Sequence, residues 1–178
     1  LLQVFVKGVN DAPVFLADAF NIDEGEVDVA PVLAQDAEGD AILYGLDFGE
    51  GDTALFDIDS ASGLLQFLAA PDFEAPQDAD GDNVYEVHVT ASDGQATTTQ
   101  TVLVTVGDVN EAPAIVSDDA FDVDENETFV GTVEAEDPDV GDELTFSIVT
   151  VGAPAVGDGD LFEIDSATGS SVSGIVSP

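Results

Sequence analysis

Four blocks of sequence recur in the same order at an interval of about one hundred residues, and this self-similarity narrows the possible folds more than any other feature. Val9-Asn10-Asp11-Ala12-Pro13 returns as Val109-Asn110-Glu111-Ala112-Pro113. Ala19-Phe20-Asn21-Ile22-Asp23-Glu24-Gly25-Glu26 returns as Ala120-Phe121-Asp122-Val123-Asp124-Glu125-Asn126-Glu127. Ala34-Gln35-Asp36-Ala37-Glu38 returns as Ala135-Glu136-Asp137-Pro138-Asp139, and Leu55-Phe56-Asp57-Ile58-Asp59-Ser60-Ala61-Ser62-Gly63 as Leu161-Phe162-Glu163-Ile164-Asp165-Ser166-Ala167-Thr168-Gly169. The interval widens from 100 residues at the first block to 106 at the last, as loop insertions between matched strands would produce.

The register sets the expected boundaries. Leu2, Val4 and Val6 match Val102, Val104 and Val106, so residues 1–11 read as the last strand and linker of an upstream repeat. Residues 12–108 read as one complete repeat, 109–113 as a linker, and 114–178 as a second repeat that is cut short. The counterparts of Val84–Ala91 and Thr98–Val106 are missing from that second repeat, which is expected to end near Val172–Val176. The chain starts at Leu1 rather than Met and shows no signal-peptide pattern, so it is expected to be a piece of something longer.

Between the blocks, hydrophobicity alternates with period two. Tyr85, Val87, Val89 and Ala91 fall on one side of a strand, with Glu86, His88 and Thr90 on the other. Thr101–Val106 alternates likewise, and Ile42–Leu46 is a short apolar run. Clusters such as Glu38-Gly39-Asp40 and Gly49-Glu50-Gly51-Asp52 punctuate the runs as turns. No window carries a helical stripe. About seven short strands per hundred residues imply an all-β fold, tandem antiparallel β-sandwiches of immunoglobulin-like kind. Phe20, Tyr44, Phe56, Phe73, Tyr85 and Phe146 are expected in the cores, and His88 exposed on its strand.

Charge then limits function. The 178 residues carry 39 acidic side chains against one basic one, Lys7, for a net charge of −38. Nucleic acid and anionic membrane surfaces are excluded as partners, since binding them takes clustered Lys and Arg. No apolar run reaches the roughly 18 residues of a membrane-spanning helix. With 44% hydrophobic residues the chain still has material for a core. A folded chain this acidic must hold carboxylates close together, and bound cations are the economical way to do so. The absence of Cys removes thiolate chemistry and disulfides.

The ordered blocks resemble cadherin repeats, in the bacterial cadherin-like form of large calcium-dependent surface and secreted proteins. Glu24 and Glu125 match the family's early glutamate ligand. Asp36-Ala37-Glu38 and Asp137-Pro138-Asp139 match its Asp-x-Asp, and Asp72-Phe73-Glu74 its Asp-x-Glu. Asp108-Val109-Asn110-Glu111-Ala112-Pro113 matches the linker motif, and Ala91-Ser92-Asp93-Gly94 the motif before the last strand.

The resemblance implies calcium-binding linkers between sandwiches. Ca²⁺ takes six to eight hard oxygen ligands, more than one domain rim supplies. Glu24, Asp72, Glu74, Asp108, Asn110, Glu111, Asp137 and Asp139 would form one cluster, and binding would stiffen the linker. Asn10, Asp11, Asp36, Glu38 and Asp93 would form an upstream site, weak or empty without its previous domain. Gly25 stands where the family often has Asn, Glu38 where it has Asp, and Gly8 where the upstream linker has its first Asp. The Asp78-Ala79-Asp80-Gly81-Asp82-Asn83 turn resembles the start of an EF-hand loop, but its twelfth position is Val89, not Glu. It reads equally as a local calcium loop or a solvated hairpin turn.

The leading function is a calcium-binding structural repeat of an extracellular bacterial adhesin or cell-surface protein, with neighbouring repeats as partners. The alternative is a carbohydrate-binding cadherin-like module of a secreted polysaccharide-associated protein; like chains and surface carbohydrate are its candidate partners. A hydrolase fragment is the third reading. Against it, the chain has a single His, no Gly-x-Ser-x-Gly elbow and no Gly-rich phosphate loop, so a non-enzyme is expected. A last expectation concerns the second repeat. Its inward Leu144, Phe146, Ile148, Phe162 and Ile164 would lack a cover, which residues 1–8 of another chain could supply as a donated strand; the plainer reading is that the repeat simply stops.

Overall fold

The alternating stretch from Val84 and the threonine-rich one after it form the longest hairpin of the computed structural model, which describes residues 3, 8–124, 127–148, 162–167 and 172–174. The chain divides into two compact units, Leu1–Val109 and Asn110–Pro178. In the first, the strands are β1 (Val14–Phe15), β2 (Ala19–Asp23), β3 (Asp28–Pro31), β4 (Ala34–Gln35) and β5 (Leu43–Leu46). A single 3-10 turn, Thr53–Leu55, precedes β6 (Phe56–Ile58), β7 (Leu64–Phe67), β8 (Val84–Ser92) and β9 (Thr97–Gly107). They form a four-stranded sheet ordered β2-β9-β8-β5 and a three-stranded sheet ordered β3-β7-β6, with β1 paired to β4. This is an all-β sandwich of immunoglobulin-like kind. Among the described residues no helix is long and apolar enough to cross a membrane.

The core follows the period-two pattern. Tyr85, Val87, Val89 and Ala91 of β8 are buried, as are Val102, Val104 and Val106 of β9. Each of these valines contributes about 1.5–3 kcal/mol when taken from water. The opposite sheet answers with Phe56, Leu65 and Phe67. The Phe56 and Phe67 rings lie 4.1 Å apart, and Tyr85 meets Phe67 edge-on at 5.0 Å. Phe20, Tyr44 and Phe73 pack at the margin of this core. His88 is half-buried rather than exposed, because the 3-10 turn lies beside β8; its N–H donates to the buried Thr53 hydroxyl at 3.0 Å. One ladder departs from the antiparallel expectation: β2 runs parallel to β9, from Ala19 opposite Leu103 to Asp23 opposite Gly107.

The turn between β6 and β7 shows why its block recurs. Asp59 Oδ1 accepts N–H bonds from Ala61 at 3.1 Å and Ser62 at 2.7 Å, plus the Ser62 hydroxyl at 2.8 Å. Gly63 closes the turn at φ +72°, where a Cβ would sit 2.9 Å from the Val32 carbonyl oxygen. In the second unit Asp165 repeats the motif, accepting the Ala167 N–H at 3.0 Å.

That second unit contains β10 (Ala114–Ile115), β11 (Phe129–Gly131), β12 (Ala135–Glu136), β13 (Phe162–Ile164) and β14 (Val172–Gly174). β10 pairs with β12, and β11-β14-β13 form a sheet, pairings that mirror β1 with β4 and β3-β7-β6. Leu144, Phe146 and Ile164 are half-buried. Ile148 is exposed instead of inward; among the described residues, 143–148 join no ladder that would enforce alternation. Leu2, Val4, Val6 and Glu125, the side chain of Phe162, and the end of the chain beyond Gly174 lie outside the described residues.

Candidate metal centre

Glu24 follows the last residue of β2, where the parallel ladder runs out. Its N–H donates to the Gly107 carbonyl at 3.0 Å, so the carboxylate is presented beside the end of β9. The residue is nine-tenths buried, and its carboxylate accepts two backbone N–H groups, from Phe73 at 2.8 Å and Val109 at 2.8 Å. Gly25 turns the chain away at φ +76°, the left-handed region that Asn and Gly tolerate best, so glycine preserves the backbone of this turn. The Gly25 N–H reaches the Pro71 carbonyl at 2.9 Å, bringing residues 71–74 alongside.

Carboxylate oxygens of Glu24, Glu74 and Asp108 consequently lie within 4.8 Å of one another. Like charges this close repel by roughly 1 to 4 kcal/mol per pair at dielectric constants between water and a protein surface. Asp72 stands apart from this group. It is exposed, and its Oδ1 accepts the Ala75 N–H at 3.0 Å, shaping the turn that presents Glu74.

At the opposite end of the first unit, Asn10 Nδ2 donates to Asp93 Oδ2 at 2.8 Å and to the Asp11 carbonyl at 3.0 Å. The Asp11 N–H donates to Glu38 Oε2 at 3.1 Å, and the Glu38 N–H to Asp36 Oδ1 at 3.0 Å. The N–H of Ala96, then the Asn10 amide and the N–H of Gln95, hold the Asp93 carboxyl below the usual carboxylate range. Among the described residues, these carboxylates do not gather three within 4.8 Å.

Three bonds of this network recur in the second unit. Asn110 Nδ2 donates to the Glu111 carbonyl at 2.8 Å, the Glu111 N–H to Asp139 Oδ2 at 2.8 Å, and the Asp139 N–H to Asp137 Oδ1 at 3.1 Å. Here Asp142 joins Asp137 and Asp139, with oxygens within 4.8 Å. Sequence reasoning missed Asp142. Its signal was Gly141, which at φ +110° folds the next residue back toward the Asp-x-Asp pair. Asp78, Asp80 and Asp82 form a further group within 4.8 Å.

The donor set fits a hard divalent cation. Every side-chain donor is a carboxylate or amide oxygen, and none is sulfur or imidazole. Asp36 Oδ2 and Asp139 Oδ1 are buried and accept no hydrogen bond, leaving lone pairs directed at neither protein nor solvent.

Residues 10–105 match the family model described as "Bacterial Ig domain". The chain is similar to mouse cadherin EGF LAG seven-pass G-type receptor 2, 34% identical over 188 residues that take in 90% of this chain. It is also similar to human protocadherin-15, 34% identical over 115 residues and 61% of this chain. The chain spans about 6% of the length of these relatives. Among solved structures, human protocadherin-24 EC1-2 superposes with a TM-score of 0.67 at 26% identity, covering 93% of this chain and 78% of that one. Drosophila N-cadherin EC1-4 superposes with a TM-score of 0.55 at 25% identity, covering 93% and 41%. The fold and these likenesses are those of an extracellular, non-catalytic, adhesion-type β-sandwich repeat in a tandem array. With the matched model covering more than half of its length, the chain belongs to the bacterial Ig domain family, in a form that resembles cadherin repeats.

Proposed function

We propose that the chain is a calcium-binding structural repeat of an extracellular bacterial adhesin or surface protein, extending adhesion by stiffening the linkers between sandwiches. The observation that supports this is the Glu24 carboxylate, fixed by the Phe73 and Val109 N–H groups beside Glu74 and Asp108. The two N–H bonds spend part of its lone-pair capacity on orientation and hold the remainder toward the other two carboxylates. In this reading Asn110 and Glu111 of the linker, with Asp137 and Asp139 of the second repeat, add oxygens to the same ions. Asp72 contributes through the turn it shapes. The rim of Asn10, Asp11, Asp36, Glu38 and Asp93 serves the preceding linker in the same way. When bound, Ca²⁺ supplies the positive charge that neutralises these carboxylates and replaces their mutual repulsion with shared coordination.

Thermal unfolding in EGTA and in millimolar calcium tests the reading. An ion held by the native state alone adds about 2.7 kcal/mol per site at a hundredfold excess over Kd. For a unit of this size that is a rise of roughly 10 °C or more in Tm. Equal midpoints in the two buffers would sink the proposal.

A further inference from the structure

Asn83 lies outside every carboxylate group described above, yet it touches the backbone that carries two members of the Glu24 group. Among the described residues it is the only non-glycine with positive φ, at +62°, and it is 7% exposed. Its Nδ2 donates to the Phe73 carbonyl at 2.9 Å, and its own carbonyl accepts the Val106 N–H at 2.9 Å. The Phe73 carbonyl belongs to the peptide that leads into Glu74, while the Phe73 N–H is one of the two that the Glu24 carboxylate accepts. Val106 lies two residues before Asp108 on the same strand end. One buried residue therefore ties together the segments that carry Glu74 and Asp108, and through Phe73 the carboxylate of Glu24.

Glycine would adopt φ +62° without steric cost. What asparagine adds at this position is the amide, whose Nδ2 is committed to Phe73 and whose buried Oδ1 accepts no hydrogen bond. An arrangement that leaves a buried acceptor unsatisfied is unfavourable for stability alone. Its return is the orientation of the Phe73–Glu74 peptide. We propose that Asn83 is a positioning residue for the Glu24–Glu74–Asp108 group, setting that group's cation affinity through the Phe73 carbonyl. This inference rests on the calcium reading above. Outer hydrogen bonds that orient metal ligands typically set affinity by 10- to 100-fold.

Calcium calorimetry on the 178-residue chain tests it, alongside melting curves in EGTA. Asn83→Gly keeps the backbone conformation and removes the donor. It should weaken the site that Glu74→Ala abolishes by about tenfold, keep the ion stoichiometry, and move the calcium-free Tm by only a few degrees. Asn83→Asp is the second variant: it keeps the side-chain shape, lacks the N–H and adds a negative charge. Charge alone would tighten cation binding; loss of the donor should weaken it, and weakening is the expected sign. Unchanged affinity in Asn83→Gly, or tighter binding in Asn83→Asp, overturns the role of Asn83. If Glu74→Ala removes an ion while Asn83→Gly binds normally, only this inference fails. If Glu74→Ala leaves the stoichiometry intact, the calcium reading of the group fails and takes the inference with it.

Discussion

Glu24 and Val109, 85 residues apart, are joined by a 2.8 Å hydrogen bond from the Val109 N–H to the Glu24 carboxylate. A side chain just past β2 thereby fixes the backbone that leaves β9. Glu24→Gln keeps the shape but turns one acceptor into a donor facing a backbone N–H. That mismatch costs about 1–3 kcal/mol, partly offset by removing one of three crowded charges. The calcium-free Tm should fall by a few degrees, and the rise produced by calcium should shrink. Circular dichroism melts with and without calcium check both; an undiminished calcium rise would show that Glu24 is no ligand.

Asp108→Ala should leave the first sandwich folded, because its core lies along β8 and β9 away from the rim. In calcium it should broaden and shorten the distance distribution from small-angle scattering. A distribution identical to that of the unmodified chain would mean that direct packing, not metal, holds the linker.

The Asp59 carboxyl is held below its ordinary value of 3.8, first by the backbone N–H of Ser62, then by the Ser62 hydroxyl and the Ala61 N–H. A carboxyl depressed on folding contributes stability that is present above the unfolded value and is lost as pH falls through the lower, folded one. The window therefore opens near pH 4 and extends downward. Asp59→Asn should be less stable than the unmodified chain at pH 7, and the gap should narrow as pH drops below 4. Urea titrations at several pH values measure it; a gap independent of pH would refute the role of the charge.

Gly63→Ala should destabilise the first unit by about 1–3 kcal/mol, since alanine would be forced into a left-handed conformation. Its methyl group would also press on the Val32 carbonyl oxygen at 2.9 Å and the Tyr44 ring at 3.2 Å. Gly94→Ala, at φ +89° with nothing within 4 Å, meets only the backbone term, about 1 kcal/mol. Chemical denaturation of the two variants should rank them in that order, and equal losses would contradict the packing argument.

Alternation made β8 and β9 legible because a buried face demands period two, and Tyr85 through Ala91 obey it without exception. The direction of pairing was not legible. Alternation at Phe20 and Ile22 is the same whether β2 meets β9 parallel or antiparallel. The motif blocks singled out Glu24, Glu74 and Asp108, whose oxygens lie within 4.8 Å of one another, since carboxylates at turn positions stand out in sequence. The groups that orient them were hidden for a simple reason: the N–H groups of Phe73 and Val109 belong to the backbone and carry no residue signature. Asn83 looked like one more polar residue in an acidic turn. Its burial and its partner, ten residues back, exist only in three dimensions.

The parallel ladder between β2 and β9 has a mechanical consequence. β2 lies near the start of the first unit and β9 at its end, so tension along the chain draws the two strands in opposite directions along their shared axis. The bonds from Ala19–Leu103 to Asp23–Gly107 are then loaded together in shear, instead of opening one after another as in a hairpin pulled from its free ends. Glu24 sits at the loaded end of that ladder, and its bond to Val109 must yield before β9 can slide. A module joined this way resists extension through its topology, and cations gathered at the same end would raise the rupture force read by a single-molecule pull.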